Sequence, residues 1–127
     1  MPSAKTKLGN QGEIAARRLL ESQGYRILEC NYRCRYGEVD IVAMDGNCTV
    51  FVEVRTKRSE SFGTPEESLS KAKQRRLTMT ALTYLQACET PPTDWRIDLV
   101  SVRLPMGSGS PRIDHVKYAV QAQSDGC

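Results

Sequence analysis

The stretches EVDIVAM at Glu38–Met44 and TVFVEVRTK at Thr49–Lys57 decide the fold of this chain. Both are rich in β-branched residues and have the length of β-strands. Between them lies Asp45-Gly46-Asn47-Cys48, and an Asp-Gly pair between two strands favours a tight turn. We therefore predict an antiparallel hairpin with its turn centred on Gly46 and Asn47.

This register separates the two faces of the hairpin, because side chains alternate along a strand. One face is wholly apolar and is predicted to be buried; it carries Val39, Ile41, Ala43, Val50, Val52 and Val54. The other face carries Glu38, Asp40, Val42, Phe51, Glu53 and Arg55. Val42 and Phe51 indicate that this second face forms a partly covered cleft.

Asp40 lies directly across from Glu53 in this register, where Cβ atoms are about 5 Å apart. Two carboxylates at that separation repel each other unless a positive group lies between them. A divalent cation fits, since Mg²⁺ is held by one or two carboxylates and completed by water and phosphate oxygens. The alternative is a solvent-exposed face on which Glu38 and Glu53 pair with Arg55 or Lys57.

Other polar residues converge on the same region. Glu13 lies at the edge of an apolar helical stripe and is predicted to lean toward the sheet. Ser70 and Gln74 continue the stripe of a second helix, where Gln74 would orient a phosphate or water, or else satisfy backbone groups. Positive charge is concentrated nearby; this basic segment comprises Arg55, Lys57, Arg58, Lys71, Lys73, Arg75 and Arg76, against Glu60, Glu66 and Glu67.

Outward from the hairpin, the remaining elements complete a mixed α/β sheet. Helical spacing predicts a first helix from about Gly9 to Gln23, with Gly24 as its left-handed stop. The second helix is predicted from Pro65 to about Cys88, because Thr64-Pro65-Glu66-Glu67 is typical of a helix start. The further predicted strands are Tyr25–Arg33, Trp95–Leu104 and Ile113–Val120. The order is α-β-β-β-α-β-β, and the crossover through the second helix makes the strand from Trp95 parallel to its neighbour.

Length and composition favour one domain in a reducing compartment. The 127 residues are divided into an extension at 1–8, a domain at 9–120 and a tail at 121–127. No apolar run reaches the roughly 20 residues that span a bilayer, and the first residues lack a signal peptide, so we expect a cytoplasmic protein without a membrane partner. The five cysteines are read as free thiols. A net charge of +3 permits a polyanionic partner.

The motifs Gly37-Glu38-Val39-Asp40 and Phe51-Val52-Glu53-Val54-Arg55, together with Glu13, resemble the PD-(D/E)XK nuclease pattern. The chain is more closely similar to the bacterial YraN-like uncharacterised family, and the similarity covers about Gly9 to Val120. The further motifs that carry it are Gly24-Tyr25, Asn31-Tyr32-Arg33, Ser70, Lys73 and Arg96-Ile97-Asp98.

The resemblance implies a restriction-endonuclease-like fold related to archaeal Holliday junction resolvases. It also implies that Glu13, Asp40 and Glu53 bind Mg²⁺ or Mn²⁺. A DNA endonuclease, acting on branched DNA if the relation to resolvases extends that far, is therefore the expected function. DNA is favoured over RNA as the partner, and a homodimer is left open. Phosphate contacts are expected from Lys57, Arg58, Ser70, Lys71, Lys73, Gln74 and Arg76.

Arg55 departs from the superfamily pattern, which has lysine at this position. A guanidinium stays protonated in proteins, so Arg55 cannot act as a general base, although it can orient water or neutralise a phosphate. This departure motivates the alternative function, a nuclease-fold module that binds nucleic acid without cleaving it. Asp98 is expected to pair with Arg96, and His115 to pack on an edge strand.

Overall fold

The computed structural model describes residues 7–58, 69–90, 92 and 94–120. Its elements are α1 (Lys7–Ser22), β1 (Arg26–Cys34), β2 (Gly37–Asp45), β3 (Cys48–Arg58), α2 (Lys71–Gln86), β4 (Asp94–Leu104) and β5 (Arg112–Val120). The five strands form one sheet in the order β1-β2-β3-β4-β5, in which only the β3–β4 pair is parallel. The predicted element order and mixed sheet are confirmed, and they are the arrangement expected of a restriction-endonuclease-like domain.

The first helix ends as its sequence predicts. Gly24 has a φ of 92°, which glycine adopts without steric cost. The Gly24 N–H donates to the Glu21 carbonyl at 3.0 Å, and the Tyr25 N–H donates to the Leu20 carbonyl at 3.0 Å. This pair of bonds is a Schellman motif, which satisfies carbonyls that the last helical turn leaves open. None of the described helices is long and apolar enough to cross a membrane.

The second helix begins later than predicted. Residues 64–67, the expected start, lie outside the described residues, but Leu69 and Ser70 are not helical. Ser70 is extended, with φ −65° and ψ 158°, and its hydroxyl accepts a hydrogen bond from the Lys73 N–H at 3.1 Å. Serine at this position satisfies an N–H that has no partner within the helix. The prediction of one continuous helix from Pro65 to about Cys88 was therefore wrong, because Leu69 and Ser70 interrupt it, and α2 runs from Lys71 to Gln86.

The hairpin has the predicted register. Asp45 pairs with Cys48, and the ladder continues residue by residue to the pair Ile41–Val52. Gly46, in the turn, has a φ of 63°. The register places Asp40 and Glu53 next along the two strands.

Each face of the sheet is covered by one helix, so the domain has two apolar cores. On the α1 face, Ala16 and Leu20 pack with buried residues of the strands, which are Ile41, Ala43, Val50, Val52, Val100, Val102 and Leu104. On the α2 face, Leu77, Ala81 and Leu85 pack with Val39, Val42, Phe51, Ile97 and Val120. The predicted cleft beside Val42 and Phe51 is wrong, because both side chains are fully buried under α2.

Val39 lies on the opposite face from the one predicted, since it joins the α2 core rather than that of Ile41. Strict alternation would put both on one face. The interruption falls at Asp40, whose carboxylate turns toward β3 and accepts the Val54 N–H. On β1, Asn31 lies between the pairs Cys30–Ile41 and Tyr32–Val39 and has a φ of 58°. Both strands thus depart from regular geometry beside Asp40.

Candidate metal and phosphate site

Asp40 and Glu53 lie on neighbouring strands and are both largely closed to water, at 7% and 9% exposed. The Asp40 Oδ2 atom accepts a hydrogen bond from the Val54 N–H at 2.7 Å. This bond holds the Asp40 carboxylate against the backbone of β3 at the residue that follows Glu53. The structure therefore brings the two predicted acids together.

The ionisation of Glu53 is affected by its burial and by three charged neighbours. Burial raises the pKa of the Glu53 carboxyl, and the negative charge of Asp40 raises it further. The charges of Lys73 and Arg55 act in the opposite direction on this pKa. The Lys73 Nζ atom lies 3.3 Å from the Glu53 Oε2 atom. A cation from the first turn of α2 thus partly neutralises the repulsion between the two acids.

The chemistry of this donor set fits a divalent cation such as Mg²⁺ or Mn²⁺. Carboxylate oxygens are the ligands that these ions prefer, and two carboxylates are sufficient when water and phosphate complete the coordination. In the part of the chain that the structure describes, no group of three His, Cys, Asp or Glu residues could hold a metal ion. Asp40 and Glu53 are therefore the protein ligands that the geometry supports, and a site of three carboxylates stays a prediction.

Glu13, the third predicted acid, is buried on the first helix at 9% exposed. It follows Gly12, where α1 approaches β3 so closely that a Cβ atom would overlap the Thr56 hydroxyl. Glu13 thus lies near the C-terminal part of β3 but belongs to the helix on the face opposite α2. The structure does not gather it with Asp40 and Glu53 into one compact cluster.

Two of the predicted phosphate contacts have backbone partners instead. The Ser70 hydroxyl caps α2, and the Gln74 Nε2 atom donates to the Leu69 carbonyl at 2.9 Å. These bonds fix the start of α2 and so position Lys73 beside Glu53. Lys71 and Arg76 on α2, and Arg58 at the end of β3, are exposed, whereas Lys57 is half-buried.

Comparison with known proteins agrees with the resemblance carried by these motifs. Residues 12–102 match the model of "Uncharacterised protein family UPF0102". The chain belongs to the UPF0102 family. A UPF0102 protein of Roseiflexus castenholzii is 41% identical over 122 residues, which is 95% of this chain and 98% of the relative. UPF0102 proteins of Syntrophus aciditrophicus and Moorella thermoacetica are 44% identical over 116 residues and 47% identical over 104 residues.

The shares of chain length show that the similarity is global. For the Syntrophus relative, the match covers 91% of this chain and 89% of the relative, and for the Moorella relative 82% and 87%. Both acids of the pair, Lys73 and the N-cap Ser70 lie inside the region matched by the UPF0102 family model.

A second polar cluster in this UPF0102 domain surrounds Asp98, which is completely buried on β4. Its carboxylate accepts the Arg96 Nε–H at 3.0 Å and the Tyr118 N–H at 3.1 Å, and it contacts the His115 Nε2 atom at 2.8 Å. Arg96 also donates to the Tyr25 hydroxyl at 2.8 Å. The expected Arg96–Asp98 pair is confirmed, but the sequence did not predict the other partners.

Within the Asp98 cluster, the positive charge of Arg96 is paired with the negative charge of Asp98. Burial lowers the pKa of Arg96, but hydrogen bonding to Asp98 and its negative charge outweigh burial and raise that pKa. Val52, the register partner of Asp98 on β3, faces α1, whereas Glu53 contacts Lys73 of α2. The Asp98 cluster and the acid pair therefore lie on opposite faces of the sheet, which agrees with the structural role expected for Asp98.

Proposed function

We propose that this UPF0102 protein is a divalent-metal-dependent nuclease that hydrolyses phosphodiester bonds of DNA. One observation carries the proposal: two carboxylates from adjacent strands, Asp40 and Glu53, are held together in a largely buried site beside Lys73. Stability alone gives no reason for such a pair, since burying two like charges together costs folding free energy.

Each residue of the site has a part in this proposal. Asp40 and Glu53 hold the cation, which, when bound, activates water and neutralises negative charge on the phosphate. Asp40 is positioned for this by the Val54 N–H, and Glu53 by its strand. Lys73, whose Nζ atom lies 3.3 Å from the Glu53 Oε2 atom, would contact a phosphate oxygen of the substrate. Arg55, whose positive charge acts to lower the pKa of Glu53, orients the phosphodiester rather than accepting a proton.

The first test is cleavage of labelled DNA in Mn²⁺ and Mg²⁺. Asp40→Asn and Glu53→Gln should each lower the rate by roughly 100-fold or more, because losing a ligand exceeds the 10- to 100-fold cost of losing a residue that supports one. Glu89→Gln, which changes an exposed acid after α2, is the matched control and should cleave normally. Failure to cut any DNA or RNA structure in Mn²⁺, or undiminished cutting by Asp40→Asn, would refute the nuclease proposal.

Metal binding can be measured separately from turnover. Mn²⁺ at about 100 times its Kd should stabilise the folded wild-type protein by about 2.7 kcal/mol, because it binds only the folded state. The melting temperature of Asp40→Asn should not respond to Mn²⁺. The response of the wild type should weaken in acid, since the ligands must be ionised to bind the cation. Equal responses of both proteins would place the Mn²⁺ elsewhere.

Arg55 favours one second candidate, a module of the same fold that binds DNA without cleaving it. Because Arg55 stands two residues after Glu53, the site lacks the lysine that some mechanisms use as a base at this position. This candidate requires salt-dependent DNA binding without turnover, and charge reversal of the exposed Lys71 should then weaken binding equally for all sequences. Turnover by the wild type that Asp40→Asn abolishes would exclude it.

A further inference from the structure

The β1–β2 turn carries an arginine–tyrosine pair that the proposed metal site does not use. The Arg35 Nη2 atom donates a hydrogen bond to the Tyr36 hydroxyl at 2.6 Å, and the Arg35 Cζ atom lies 4.8 Å from the centre of the Tyr36 ring. Arg35 is exposed and Tyr36 is half-buried. Guanidinium planes and aromatic rings are surfaces on which unpaired nucleobases stack.

Two independent paths through the fold give the distance from Gly37, the residue that follows this pair, to the acid site. Along β2, Asp40 follows Gly37 by three residues, or about 10 Å at the rise of a strand. Through α2, a Cβ atom at Gly37 would lie 3.5 Å from the Thr80 hydroxyl. Thr80 follows Lys73, the partner of Glu53, by seven residues, again about 10 Å at the rise of a helix.

A separation of about 10 Å from Gly37 is short enough for a few nucleotides of one strand to connect the Arg35–Tyr36 pair with the acids. The surroundings of the turn suit a phosphodiester chain over this distance. Two further arginines lie near the turn. The side chain of Arg33 is 47% exposed. Arg76 is also exposed, and its Cβ atom would lie 3.9 Å from a Cβ atom placed on Gly37. Glu38 is the acid nearest the turn in the chain, and it is 3.7 Å from Arg33. Positive charge therefore predominates around the pair, which favours a polyanion.

We propose that Arg35 and Tyr36 form a stacking platform for an unpaired nucleobase, within a few nucleotides of the phosphodiester bond held at Asp40 and Glu53. The position of that bond rests on the proposed nuclease function. The platform specifies the substrate class, which is DNA with a single-stranded segment close to the cleavage point. A continuous duplex cannot use the platform, because the faces of its bases are already covered by their neighbours.

The experiment measures DNA binding in EDTA, so that it does not depend on cleavage. The two probes are a continuous duplex and the same duplex with a short single-stranded flap, each with a fluorescent label. Wild type should bind the flap probe at least about 5-fold more tightly, since stacking of one base is worth roughly 5- to 150-fold in affinity. Tyr36→Ala should abolish this preference and leave duplex binding unchanged. Tyr36→Phe keeps the ring and is the matched control, which should retain the preference.

A direct signal of stacking comes from 2-aminopurine placed in the flap. Its fluorescence should fall when wild type or Tyr36→Phe binds and should not fall with Tyr36→Ala. Arg35→Ala changes an exposed side chain and provides a second variant, which should reduce the preference partially. Circular dichroism of each variant verifies that it is folded before its binding is compared.

The outcomes separate this inference from the nuclease proposal. Equal affinities for both probes, or a preference that Tyr36→Ala retains, would overturn the stacking platform even if the wild type cleaves DNA in Mn²⁺. A preference that depends on Tyr36 in a protein that never cleaves would support the platform and refute the nuclease. If the wild type binds neither probe in EDTA, the stacking platform is refuted, whereas the nuclease proposal is judged by cleavage in Mn²⁺.

Discussion

Glu53 is a residue whose ionisation opposes folding. Burial and the nearby Asp40 charge raise the pKa of its carboxyl above the value in the unfolded chain. A group with a raised folded-state pKa contributes its full stabilisation below the unfolded pKa, and this contribution is lost as pH rises through the folded pKa. Near neutral pH, the fold therefore carries an electrostatic cost at this position, as active sites commonly do.

We expect Glu53→Gln to melt a few °C higher than wild type at neutral pH in the absence of metal. Lys73, which loses its partner, has a side chain 33% exposed, so water can solvate its charge. The difference between the two proteins should shrink as pH falls below the folded pKa of Glu53, because wild type is then protonated as well. Thermal denaturation followed by circular dichroism across this pH range measures the effect.

The exposed Glu89→Gln variant serves as the reference in these melts, and its melting temperature should match that of wild type at every pH. A Glu53→Gln protein that melts below wild type near neutral pH would mean that the Lys73 ion pair outweighs the cost of burying the two acids. The site would then be a stabilising structural feature.

At the scale of elements, the close packing of α1 on β3 depends on glycine at position 12, because glycine has no side chain. A Cβ atom at Gly12 would overlap the Thr56 hydroxyl, so the helix can approach the strand only with glycine at this position. Gly12→Ala should destabilise the fold by about 1–2 kcal/mol, since overpacking costs about 1–3 kcal/mol and alanine recovers part of it through its higher helix propensity. Urea denaturation measures the change.

Gly107→Ala is the matched control for this substitution. No atom lies within 4 Å of a Cβ at that glycine, so its stability should change by less than about 0.5 kcal/mol. Thr56→Ala should lower the cost of Gly12→Ala in the double mutant, which a double-mutant cycle would report as coupling. Additive effects of the two substitutions would show that the helix does not depend on this contact.

The Asp98 cluster acts at the scale of the whole molecule, because it joins Tyr25, which directly precedes β1, to β4 and β5. We expect Asp98→Asn to destabilise the fold by about 3–5 kcal/mol, since it leaves the Arg96 charge buried without its main counter-charge. Asp94→Asn, at the exposed start of the same strand, should have little effect. Urea denaturation of both variants is the measurement, and equal stabilities would contradict a structural role for the cluster.

Local signals in the sequence were sufficient for much of this architecture. The Asp45-Gly46 turn predicted the hairpin register, and Gly24 predicted the end of α1. The start of α2 was misplaced because Thr64-Pro65-Glu66-Glu67 resembles a helix start in sequence, whereas the structure shows Ser70 as the N-cap of α2. The face of Val39 was misassigned because regular alternation does not anticipate the bond from Val54 to Asp40.

The candidate site was predictable where it depended on that hairpin, which aligned Asp40 with Glu53. The contacts between helix residues and the acid pair were harder to predict, because periodicity gives the face of a helix but not the distance of a side chain from a neighbouring strand. Lys73 was assigned only to phosphate, although it also contacts Glu53. The Tyr25–Arg96 bond was beyond prediction, since its residues lie 71 positions apart and no local pattern links them.

The parallel pairing of β3 with β4 has a consequence for synthesis of the protein. Cys48 pairs with Asp94 and Arg58 with Leu104, so the β4 partners of β3 are translated only after the whole of α2. In a nascent chain that has emerged up to α2, one edge of this valine-rich strand therefore has no partner strand and is prone to pairing with other chains. Ribosome-bound fragments that end before and after β4 should differ sharply in protease resistance.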